Sequence, residues 1–72
     1  MTYKNRIIIE KGKRGGQPVI RGMRITVYDI LQWLASGMST QDILKDYPEL
    51  KQKDIQAALQ FAADRDKQSL YA

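Results

Sequence analysis

Three times after residue 24 the chain repeats one short pattern: Ile25-Thr26-Val27-Tyr28-Asp29-Ile30, Met38-Ser39-Thr40-Gln41-Asp42-Ile43 and Leu50-Lys51-Gln52-Lys53-Asp54-Ile55. Each copy is an apolar residue, three mostly polar positions, an aspartate and an isoleucine. With Thr26, Ser39 and Lys51 taken as N-caps, each aspartate falls at the third helical position, where its carboxylate reaches orphan amides and meets the positive end of the helix. The flanking apolar residues fall at the two positions of a hydrophobic staple. The pattern therefore predicts three helices starting near 26, 39 and 51. Lys51 is the poor cap of the three, because its side chain offers no acceptor.

The stops agree with the starts. Gly37 suits the residue just past the end of the first helix. Pro48 cannot donate to a continuing second helix and pushes Tyr47 toward an extended shape. The third helix meets no breaker before the polar tail that begins near Asp64. Apolar residues at helical spacing predict a core of Val27, Ile30, Leu31 and Leu34 from the first helix, Ile43, Leu44 and Tyr47 from the second, and Ile55, Ala58, Leu59 and Ala62 from the third. Before the helices, the β-branched stretch Arg6–Glu10 and Pro18-Val19-Ile20 predict two short strands around the glycine-bearing turn 11–16. The expected architecture is mainly α: a three-helix helix-turn-helix, homeodomain-like domain with a short N-terminal β-hairpin. It forms a single domain over 1–72, divided into a β segment at 6–25, a helical unit at 26–66 and a tail at 67–72.

Length and composition narrow the function. Seventy-two residues lie near the lower limit for independent folding, and 43% hydrophobic content is enough for one small core. A core of this size leaves only ~3–5 kcal/mol of net stability. The chain has no cysteine and no histidine, so disulfides and the common zinc sites are excluded, and a homodimer is the expected source of further support. The same absence removes the usual general base and thiol nucleophile, and no enzyme activity or cofactor is expected. No apolar run approaches the roughly 20 residues of a membrane span, and the N-terminus has no signal-peptide pattern, so no membrane association and a cytoplasmic location are expected.

Charge is unevenly placed. Residues 1–24 hold Lys4, Arg6, Lys11, Lys13, Arg14, Arg21 and Arg24 against Glu10 alone, a balance of +6, whereas residues 25–72 balance to −2. The cations of the N-terminal segment suit an anionic partner, with Lys11 and Lys13 on an extended turn that reaches phosphates. Gly15-Gly16 is not followed by Gly-Lys-Ser/Thr, and a nucleotide loop is discarded. On the third helix the face opposite the expected core presents Lys53, Gln56, Ala57, Gln60 and Asp64. Glutamine pairs with adenine edges and alanine meets a thymine methyl, so this face suits DNA, although an ordinary solvated face has the same composition. Two aromatics fall off the core stripes, Trp33 and Phe61; each either caps the small core or anchors a partner surface.

Gly15-Gly16-Gln17-Pro18, Ile20-Arg21-Gly22, Arg24-Ile25, Gly37, Asp42-Ile43, Tyr47-Pro48 and Ala57-Ala58-Leu59 together resemble the domain-of-unknown-function family 433, over roughly residues 6–64. That family is grouped with homeodomain-like helix-turn-helix proteins and described as antitoxin-like and VapB-related, with members often paired with PIN-like ribonuclease toxins. Met23 stands where the family usually has threonine, and Lys51 replaces the usual Ser/Thr cap. The resemblance implies an antitoxin that neutralises a PIN-like toxin and binds operator DNA. The acids of such a nuclease would pair with a basic arm of Arg14, Arg21 and Arg24, alongside Trp33 and Phe61. DNA would be held by Lys53, Gln56, Gln60, Lys11 and Lys13. The alternative is a protein-interaction adaptor or structural homodimer that does not touch nucleic acid.

Overall fold

The computed structural model of the chain describes residues 5–71, with side chains described through residue 67. Two short strands, β1 (Ile7–Ile9) and β2 (Pro18–Ile20), precede three helices, α1 (Val27–Ala35), α2 (Thr40–Asp46) and α3 (Gln52–Tyr71). The strands pair antiparallel with Ile7 opposite Ile20, Ile8 opposite Val19 and Ile9 opposite Pro18. Pro18 thus opens its strand, where a missing amide costs least.

Each helix begins where the repeated pattern places it. Thr26 accepts the Asp29 amide at 2.9 Å while the Asp29 carboxylate accepts the Thr26 amide at 3.1 Å. Ser39 and Asp42 repeat this reciprocal pair at 3.1 and 3.0 Å. At α3 only half of the arrangement forms: the Lys51 amide donates to Asp54 at 2.8 Å, and the lysine side chain has no oxygen to return the bond. The end of α1 is a Schellman motif, in which Gly37 (φ +104°) donates to the Leu34 carbonyl and Met38 to that of Trp33. The third helix runs further than expected. Residues 67–71, read from sequence as tail, continue α3 to Tyr71, and Ala72 lies outside the described residues. Nothing in Asp64–Tyr71 breaks a helix; polarity alone does not end one.

The core joins Ile7 and Ile20 of the hairpin to Val27, Ile30, Ile43, Leu50, Ile55, Ala57 and Ala58. One boundary of this core differs from the sequence reading. Ala57 is fully buried, whereas Leu59 is 46% exposed. The buried stripe of α3 runs through Asp54, Ile55, Ala57 and Ala58, with Phe61 and Ala62 half-buried beside it. It is rotated from the expected Ile55–Leu59–Ala62 line, with Asp54 on the buried side bound to Arg6 and Arg21 of the hairpin.

Candidate nucleic-acid interface

The organising residue is Asp54, whose side chain is fully buried. A buried carboxylate needs partners, and the hairpin supplies two. The strand register that sets Ile7 opposite Ile20 also sets Arg6 opposite Arg21, and the Arg21 amide donates to the Arg6 carbonyl at 2.8 Å. Both guanidinium groups therefore emerge at the same end of the hairpin. Arg6 Nη1 donates to Asp54 Oδ1 at 2.7 Å, while Arg21 Nε and Nη2 donate to Oδ1 and Oδ2 at 3.0 and 2.9 Å. Arg21 Nη2 also donates to the Glu49 carbonyl in the α2–α3 turn. Burial by itself pushes the Asp54 carboxyl up. Hydrogen bonds from Arg21, the Lys51 amide and Arg6, with the charge of Arg21, together outweigh burial and hold it below the usual carboxylate range.

Arg21 has a left-handed backbone, φ +45°. A glycine would take that conformation without strain, so the arginine is explained by its side chain: the turn before Gly22 aims the guanidinium at Asp54. The clamp fixes the hairpin against the start of α3.

On the outer side of this clamp lies an open hollow of about 510 Å³, lined by Arg6, Lys51, Gln52, Lys53 and Gln56. The lining holds three cations and two amides and no acid. Asp54 neutralises only one of the two arginines that grip it, and the exposed amino end of α3 adds its own positive dipole. Of the residues expected to contact DNA, Lys53 and Gln56 come together here, joined by Arg6, Lys51 and Gln52, which the sequence reading did not assign to this role. Lys51 was visible only as a defective cap. Gln60 is exposed beyond the hollow and turns its amide to Asp64 at 3.0 Å. Ala57, expected on the same free face, is in the core.

The basic N-terminal arm does not stand free. Arg21 is in the clamp. Arg14 Nη1 donates to Asp29 at 3.0 Å and to the Arg24 carbonyl at 2.7 Å. Lys13 donates to the Gly22 carbonyl at 2.6 Å and lies 3.7 Å from Glu10. Lys11 and Arg24 are exposed and hold no ion pair among the described residues; Lys4 lies outside the described residues. The expectation that Arg14, Arg21 and Arg24 form one gripping arm is thereby corrected. Acids and carbonyls distant in sequence hold two of the three, because the hairpin folds back on the helices instead of extending.

Trp33 stacks on Tyr47 with ring centroids 4.2 Å apart and planes 12° from parallel, bracing the end of α1 against the end of α2. One face of its indole is thus already covered. Phe61 is half-buried, carries the Arg65 guanidinium 5.4 Å from its ring centre, and lines an apolar groove of about 290 Å³ with Tyr28, Leu31, Pro18 and Val27. Among the described residues no group of three or more acidic side chains is placed to hold a metal ion, and no helix is long and apolar enough to cross a membrane.

A crystal structure of a DUF433 member from Anabaena variabilis ATCC 29413 superposes with a TM-score of 0.83 at 32% identity, covering 90% of this chain and 64% of that one. An uncharacterised protein, y4eO, from Sinorhizobium fredii (strain NBRC 101917 / NGR234) is 40% identical over 48 residues, which are 67% of this chain and 22% of the relative. The chain therefore spans less than two thirds of either protein. The family model described as "Protein of unknown function (DUF433)" matches residues 7–62, a span that holds both strands, α1, α2, the start of α3 and the Arg21–Asp54 pair, and the chain belongs to the DUF433 family.

Proposed function

We propose that this chain is a non-catalytic, cytoplasmic DNA-binding module that acts as a homodimer, the operator-binding half of a toxin–antitoxin pair. The observation that carries the DNA reading is the acid-free hollow at the amino end of α3, where Arg6, Lys51, Gln52, Lys53 and Gln56 converge. In a helix-turn-helix the last helix enters the major groove with its amino-terminal residues on base edges. In that pose Lys51 and Lys53 neutralise phosphates, and Gln52 and Gln56 offer amides to adenine edges. The Arg6–Asp54–Arg21 clamp supports the reading by giving these side chains a rigid base.

The test is a fluorescence-anisotropy titration of duplex DNA from the region upstream of the chain's own gene, over a range of salt. Binding is expected to weaken steeply with salt. Lys51→Ala with Lys53→Ala is expected to weaken it on all sequences and to reduce the salt slope by roughly 2. Gln56→Ala is expected to cost about 1–3 kcal/mol on the preferred site only. Absence of binding at low salt rejects the DNA reading.

A second reading, the protein-interaction adaptor, is favoured by the apolar groove around Phe61, Tyr28 and Leu31. A PIN-like toxin, if it is the partner, would meet this groove and not an arginine arm. Co-expression with a ribonuclease encoded beside this chain, with Leu31→Glu as the disrupting variant, tests the groove, and the DNA titration separates the two readings.

A further inference from the structure

The hairpin leaves one edge unpaired. The sheet has two strands, and only β2 borders β1 among the described residues. Because the Arg21 amide bonds to the Arg6 carbonyl, alternation along an antiparallel ladder turns the amides and carbonyls of Ile7 and Ile9 away from β2. The same edge carries apolar side chains in contact with solvent, with Ile8 38% and Ile9 60% exposed. Charge at its two ends does not block association, as it does on many edge strands; here the two ends are opposite in sign.

We infer that β1 is the self-association surface of this chain, pairing antiparallel with β1 of a second copy about a two-fold axis at Ile8. The sequence Arg6-Ile7-Ile8-Ile9-Glu10 is complementary to itself when reversed. In this register Ile7 lies opposite the partner's Ile9, and these are the residues whose amides and carbonyls point outward, so each such pair exchanges two hydrogen bonds. Ile8 meets its own copy as a non-hydrogen-bonded pair, where side chains approach most closely. Arg6 faces the partner's Glu10 at both ends. Arg6 binds Asp54 through Nη1, and its Nε and Nη2 hold no hydrogen bond to the described residues; Glu10 is 46% exposed, with Lys13 at the long distance of 3.7 Å. A parallel pairing would set like charges side by side, which disfavours it. The product is a four-stranded sheet, β2-β1-β1-β2, that removes both unpaired edges. This inference rests on the homodimer reading, and it shares Arg6 with the cationic hollow.

The absence of cysteine makes the register directly measurable. Across the two-fold axis the Ile8 Cα atoms would lie about 4.5 Å apart, within disulfide range, whereas the Ile9 Cα atoms would be more than about 8 Å apart. Under mild oxidation Ile8→Cys is expected to form a covalent dimer efficiently and Ile9→Cys is not. In sedimentation velocity without DNA, the unmodified chain is expected to run as a dimer. Ile8→Lys, which places two lysines together at the axis, is expected to raise the dimer dissociation constant by about tenfold or more with an unchanged circular dichroism spectrum. A dimer that ignores both substitutions at position 8 overturns the β1 surface and leaves the homodimer standing. A chain that is monomeric at high concentration overturns both.

Discussion

Asp54 shows how much one residue decides in a protein of this size. It caps α3 and ties both arginines of the hairpin to the start of that helix, all through a side chain with no exposure to solvent. Replacing it with asparagine keeps the shape and removes the charge. Arg6 and Arg21 then lose their counter-charge, and the expected loss is roughly 3 kcal/mol, the lower end for breaking a buried pair, because both guanidinium groups retain some access to water. Urea titration followed by circular dichroism measures it; a loss well under 1 kcal/mol would show that the clamp is incidental. The pH dependence has a definite sign. Asp54 has a folded-state pKa below its unfolded value, so its contribution is fully present above about pH 4 and is lost as pH falls through the folded value. Asp42, held low by its bonds to Ser39, moves in the same direction. Thermal melts are therefore expected to be flat from neutral pH down to about 5 and to fall below about 4. Asp54→Asn is expected to flatten part of that fall.

Among the elements, the helices differ in what defines them. The reciprocal caps at Thr26 and Ser39 are local, so Ser39→Ala, at an exposed cap, is expected to cost about 1 kcal/mol, and Thr26→Ala, whose side chain is fully buried, is expected to cost more. Core substitutions depend on which face is buried. Ile43, with no exposure, is expected to cost about 2–5 kcal/mol when replaced by alanine, and Leu59, half in solvent, less than about 1 kcal/mol. Thermal denaturation of the two variants side by side checks the observed rotation of α3, since the expected Ile55–Leu59–Ala62 stripe would make them equally damaging. The β segment behaves differently again. Replacing Arg14, Arg21 and Arg24 together with serine would leave helicity intact if they formed a free arm. With Arg21 in the clamp and Arg14 on Asp29, the triple variant is expected to lose stability as well, visible as a lower unfolding midpoint.

At the scale of the molecule, a helical unit and a hairpin meet along one seam, and the seam generates two different surfaces. One is the cationic hollow beside the clamp, the other the apolar groove between β2, α1 and α3. If chains pair through β1, apparent stability depends on concentration by mass action. A tenfold dilution is then expected to lower the unfolding midpoint measurably; a midpoint independent of concentration would argue for a self-sufficient monomer.

Legible without the fold is everything local or periodic: three caps, two stops, the short strands and most of the core, because each depends on residues within a turn or two of one another. The uneven charge of the first 24 residues was equally legible, yet its use was not. Whether an arginine grips a partner or an internal acid depends on which residues lie across from it in space. The pairing of position 6 with 21, and of both with 54, exists only once the hairpin has docked. The same docking buried Ala57, exposed Leu59 and assembled Lys51, Gln52, Lys53 and Gln56 with Arg6, because helix rotation is set by long-range packing and charge compensation that no local pattern encodes.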